Sequence, residues 1–143
     1  MNEAETLLRR MFGLSGGGSS TPQDVFPDPA DDPAAFFHAD VVHSLFGPSG
    51  TKETLRGRRA FFDFAAGCAA ALSAREDTIL GITGIDRQCA FVHASAYRQS
   101  RATGEEIRYE WAMLYRVEKG AITYGADMLD ADAQAFWGRV LGR

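Results

Sequence analysis

Few side chains in this sequence combine a reactive type with a suggestive setting. One is Asp127, in the run Tyr124-Gly125-Ala126-Asp127-Met128-Leu129-Asp130; the others are three widely spaced histidines, His38, His43 and His93. A carboxylate that faces an apolar hollow is disfavoured in its charged form, which makes it a competent base toward a carbon acid near neutral pH. Asp127 is the candidate for that role. The competing reading is a structural acid bonded to an arginine or a backbone amide. His43 can polarise a carbonyl or pair with Asp127; the plainer alternative is a partly exposed histidine on the other side of its strand. His38 reads as a helix C-terminal cap. The histidine spacing suits no metal, and Cys68 and Cys89 form no CxxC motif, so no metal or cofactor is expected. Two reduced, buried thiols in a cytoplasmic protein are the expectation.

These residues depend on the elements that carry them. Ala4, Leu7, Leu8, Met11 and Phe12 repeat as one face of an amphipathic helix that Gly13 ends. The Gly/Ser/Pro-rich stretch 15–31 reads as a flexible connection, with a gate over a pocket as the alternative. Asp32-Pro33 predicts the start of a short helix through Phe36 and Phe37. A strand is expected over Val41–Phe46, then a turn at Gly47-Pro48-Ser49-Gly50, and after Gly57 the longest helix, from Arg58 to about Ala74.

From Asp77 the period becomes two. Strands are predicted over Thr78–Ile85, Cys89–Ser100, Glu105–Val117 and Ala121–Leu129, joined by short hairpin connections, and Asp130 caps a last helix. In the third of these strands Ile107, Tyr109, Trp111, Met113, Tyr115 and Val117 share one face. Arg98 and Arg108 read as surface groups, with an anion anchor as the alternative if their strands bend inward. Helices followed by an antiparallel meander give an α+β domain over residues 1–143. A bent sheet around the long helix leaves a hollow suited to a small apolar ligand. The net charge of −4 and pI near 5.3 argue against nucleic acid or an anionic membrane as partner, and no run is long enough to span a bilayer.

The amphipathic first helix, the stretch FFHADVVHSLFGPSG, the glycine before the long helix and the closing GAITYGADMLD together resemble the SnoaL-like branch of the nuclear transport factor 2-like superfamily. The resemblance implies a cone-shaped, cystatin-like α+β fold, and dimerisation through the outer face of the sheet, where His93 lies with Phe91, Ser95 and Tyr97. The fold hosts polyketide cyclases, ketosteroid isomerase, limonene epoxide hydrolase and plain binding modules, so it implies no one activity.

Carried over residue by residue, the resemblance puts Asp127 at the last-strand aspartate shared by the epoxide hydrolase and the cyclases. The hydrolase's Arg-x-Asp positions fall on Ala94 and Ala96, and its water-holding Tyr and Asn fall near Val42 and Ser44. The isomerase acids correspond to Ser44 and Met113. Neither the hydrolase nor the isomerase mechanism is therefore expected. What remains is an apolar, carbonyl-bearing ligand with Asp127, helped by His43, as general base; the alternative is a non-catalytic ligand-binding or dimerisation module. The expected ligand-binding residues are Ser44, Ala94, Ala96, Tyr109, Trp111, Met113, Gly125 and Leu129. One conflict stands. Strict alternation groups Asp127 with Thr123, Gly125 and Leu129, opposite the more apolar Ile122, Tyr124, Ala126 and Met128, whereas the resemblance points Asp127 inward.

Overall fold

The computed structural model of the protein describes residues 2–14, 19–26, 35–46 and 52–142. Helix α1 (Glu3–Met11) begins where Asn2 Oδ1 accepts from the Glu5 amide at 2.8 Å, and it buries Ala4, Leu7 and Leu8 against the sheet. Strand β1 (Phe37–Phe46) is followed by β2 (Lys52–Arg56), helix α2 (Arg58–Ala70), strands β3 (Leu72–Gly84), β4 (Cys89–Ser100), β5 (Glu106–Glu118) and β6 (Ala121–Met128), and helix α3 (Ala131–Leu141).

The six strands form one sheet in the order β2-β1-β6-β5-β4-β3. Only β1 and β6 pair in parallel; the other neighbours are antiparallel. Register shifts interrupt β1, β3 and the β5–β6 ladder, and such bulges bend a strand and increase its twist. The inner face of the sheet and helices α1 and α2 enclose the core. This is the α+β fold with a curved sheet that the sequence predicts.

Some elements differ from expectation. The short helix predicted from Asp32-Pro33 starts outside the described residues; Ala35 is 3₁₀-helical and Phe36 lies in a turn, but β1 already begins at Phe37. His38 is an exposed strand residue whose Nδ1 accepts from the Asp40 amide, not a helix cap. The apolar period of α2 runs on to Leu72, but the helix stops at Ala70. There the Arg101 amide donates to Ala71 O and the Arg101 guanidinium to Ala70 O and Leu72 O, so helix carbonyls are satisfied from the β4–β5 turn. Leu72 then pairs with Ser100, and β3 starts earlier than predicted. Strand β2 was not anticipated. Of the connection 15–31, residues 19–26 are ordered against β3: Gln23 bridges Asp77, and Asp24 takes a forked bond from Arg75 at 2.7–3.0 Å. Residues 15–18 and 27–34 and the turn at 47–50 lie outside the described residues. Cys68 and Cys89 are buried and are not joined in a disulfide.

Candidate functional site

A cavity of about 560 Å³ opens between the inner face of the sheet, α2, α3 and the segment 23–26. Its volume is in the range of small-molecule sites. Its walls are mainly apolar: Phe36, Phe37, Phe61, Phe62, Trp111, Met113, Leu129 and Trp137. The polar groups within this lining include His43, Arg98, Tyr109, Tyr115 and Asp127.

A bulge in β6 resolves the direction of Asp127. Val117 pairs with Ile122 and Arg116 with Tyr124, so one step along β5 matches two along β6 and Thr123 is the extra residue. The parity of β6 changes there. Ile122 is buried before the bulge; after it, Gly125 and Asp127 take the inner face, opposite Tyr115 and Met113. Ala126 and Met128 pass to the outer face, where Met128 is exposed.

On β1, Val41, His43 and Leu45 face inward. His43 is not the partly exposed residue of the plainer alternative. It is 2% exposed, and its Nε2 lies 2.8 Å from Asp127 Oδ1, while Asp127 keeps 17% of its side-chain surface. With the carboxylate ionised, the imidazole N–H donates. The ring packs on Phe61 at 4.7 Å between centroids. His43 also pairs laterally with Gly125, where an added Cβ would stand 2.6 Å from Nδ1. Both ring nitrogens are thus turned toward β6. Of this pair, Asp127 keeps one oxygen outside the bond to His43.

Tyr115 was not singled out from the sequence except as part of the aromatic stripe. It is 4% exposed, lines the cavity, and its hydroxyl has no hydrogen-bond partner among the described residues. Burial, and then the nearby Asp127 charge, push its ionisation far above the usual tyrosine range. It therefore stays protonated and able to donate. Only the strand alternation through Trp111 and Met113 could have indicated it.

Tyr109, Trp111, Met113 and Leu129 line the cavity as expected. Four expected ligand contacts do not. Ser44 alternates out of phase with His43, and its Oγ accepts from Tyr124 Oη at 3.3 Å. Ala94 and Ala96 are buried beneath the indole of Trp111, whose Nε1 crosses β4 to donate to Asp77 at 2.8 Å. Their small size makes room for that indole rather than for a ligand. Gly125 likewise makes room for His43.

Arg98 is not a surface group. It is 3% exposed and forks onto Asp77 at 2.8 and 2.9 Å, with Asp77 fully buried. Burial works against its charge, but Asp77 and the Tyr109 hydroxyl together outweigh this and its pKa is raised. Arg108, by contrast, lies on the outer face, its guanidinium 4.6 Å from the Tyr97 ring centroid.

A family model for the SnoaL-like domain matches residues 26–125. The chain belongs to the SnoaL-like domain family. Among curated proteins, none matches the sequence. Solved structures similar to this SnoaL-like domain include a candidate SnoaL-like polyketide cyclase of Jannaschia sp. CCS1 (11% identity, 78% of this chain and 77% of that one, TM-score 0.63). A phenazine biosynthesis-related protein of Pseudomonas aeruginosa is also similar (18% identity, 74% and 70% covered, TM-score 0.57). So is a nuclear transport factor 2-like protein of unknown function from Burkholderia pseudomallei K96243 (16% identity, 77% and 82% covered, TM-score 0.60). At these identities the likeness is one of fold. No helix among the described residues is long and apolar enough to cross a membrane.

Proposed function

We propose that this SnoaL-like domain binds a small apolar ketone in its cavity and uses Asp127 as a general base to remove a proton from the carbon beside the carbonyl. The observation that carries the reading is the bond between His43 and Asp127 at the wall of an apolar cavity. The carboxylate is held in one orientation by a buried donor, and its second oxygen is left for a ligand. Removing the proton transfers negative charge to the carbonyl oxygen. The Tyr115 hydroxyl is an unspent donor near Asp127, suited to bond that enolate as its charge develops. The proton on Asp127 then returns to another carbon of the same framework, as isomerisation or ring closure requires.

The test is exchange of the C1 protons of 2-tetralone in D₂O, followed by NMR. The wild-type protein is expected to accelerate exchange over buffer, and Asp127→Asn to abolish the acceleration. Equal rates for the two proteins would support a ligand-binding module without base chemistry.

The outer sheet face, where Phe91 and Met128 are exposed, is the surface we assign to a second copy of the chain. Sedimentation at micromolar concentration tests this, with a monomer as the contrary result.

A further inference from the structure

The cavity has a second polar end, distinct from Asp127. Tyr109 lies four residues from Met113, the cross-strand partner of Asp127, which is about 13 Å along β5. Its hydroxyl accepts from Trp137 Nε1 at 2.9 Å, and no acceptor for its own proton occurs among the described residues. Beside it, the Arg98 guanidinium carbon stands 5.7 Å from the Tyr109 ring centroid. Two of the guanidinium nitrogens are spent on Asp77 and Nε is fully buried, while the group as a whole also donates toward the Tyr109 hydroxyl. Arg98, Tyr109 and Trp137 all line the cavity. The Tyr109 hydroxyl proton therefore lacks an acceptor among the described residues in one corner of a mainly apolar wall, and a buried donor without an acceptor is disfavoured.

The sign of the charge there decides what the Tyr109 hydroxyl fits. Asp77 already balances Arg98, so a second anion would lose its hydration without gaining an unpaired cation. A neutral acceptor loses far less. We propose that Tyr109 Oη–H binds an uncharged carbonyl oxygen at the end of the ligand remote from Asp127. The ligand class is then an elongated apolar diketone, with one carbonyl beside the reacting carbon and the other at Tyr109. This assignment rests on the reading of Asp127 as the reacting end, but its binding test does not require turnover.

The test is calorimetric binding of three probes of one shape: 2,6-diacetylnaphthalene, 2-acetyl-6-ethylnaphthalene and 6-acetyl-2-naphthoate. The diketone is expected to bind about fivefold more tightly than the ethyl compound, the value of one neutral hydrogen bond. Tyr109→Phe, with melting confirming that it folds, is expected to bring the two Kd values together, whereas Asp127→Asn leaves their ratio as in the wild type. Equal Kd values in the wild type, a ratio that survives Tyr109→Phe or changes in Asp127→Asn, or tightest binding of the naphthoate would overturn the proposal. If 2-tetralone exchange failed while the probe ratio held, the base assignment would fall and the carbonyl subsite would stand.

Discussion

Gly125 and His43 are lateral neighbours in the parallel β1–β6 pair, and the space of the missing Gly125 side chain is filled by the imidazole. An added Cβ would stand 2.6 Å from Nδ1 and 3.0 Å from Cε1. The ring cannot swing aside, because Phe61 covers one face and Nε2 is bonded to Asp127. Gly125→Ala is therefore expected to destabilise the fold by about 1–3 kcal/mol, the usual cost of overpacking. Urea unfolding measures this, and an unchanged midpoint would show that the ring has freedom to move.

Tyr115→Phe removes one oxygen from the cavity wall and breaks no hydrogen bond made by the described residues. Its melting temperature is expected to stay near that of the wild type. Tetralone exchange should fall by about tenfold or more, since a donor to a developing oxyanion acts chiefly in the transition state. Binding of 2-naphthol, a stable mimic of the enol, should weaken as well, while naphthalene binding does not change. Stopped-flow titration of both compounds checks the distinction.

Asp77 accepts from two Arg98 nitrogens and from Trp111 Nε1. Asp77→Ala leaves the Arg98 charge buried and uncompensated, and a loss of about 3–5 kcal/mol is expected. Restoring neutrality with Arg98→Met in the same chain should recover much of that loss. Chemical unfolding of both variants measures the difference, and additive effects would contradict the pairing.

The segment carrying Phe26 is tied to β3 partly through Asp24 and Arg75. Partial burial raises the Asp24 pKa, but the Arg75 bond and charge outweigh it and hold the group below its ordinary value of 3.8. A depressed folded pKa gives a stabilisation that is present above the ordinary value and lost as pH falls through the folded one. The tie is therefore expected to hold unchanged from neutrality to about pH 4 and to weaken only in more acid solution. Hydrogen exchange at the Gln23 and Asp77 amides, which bond each other's carbonyls, reads it directly.

Much of this was legible from the sequence. The alternation of residues 89–129 and the cap Asp130 are local signals, and they give the limits of those strands and the start of the last helix within a residue or two. What sequence could not supply came from cross-strand geometry. The inward turn of Asp127 depends on the extra residue at Thr123, which no period-two count reveals. The roles of Ala94, Ala96 and Gly125 depend on which large side chain lies across them, Trp111 in one case and His43 in the other. Arg98 looked like a surface arginine because its partner Asp77 is far away in sequence.

The central claim is that Asp127 is the base and His43 holds it in place. Tetralone exchange rates for the wild type, Asp127→Asn and His43→Gln, taken under one set of conditions, test it most directly. The account predicts that Asp127→Asn exchanges at the buffer rate and that His43→Gln retains an intermediate rate. Exchange by Asp127→Asn at the wild-type rate, or a His43→Gln rate below that of Asp127→Asn, would contradict it.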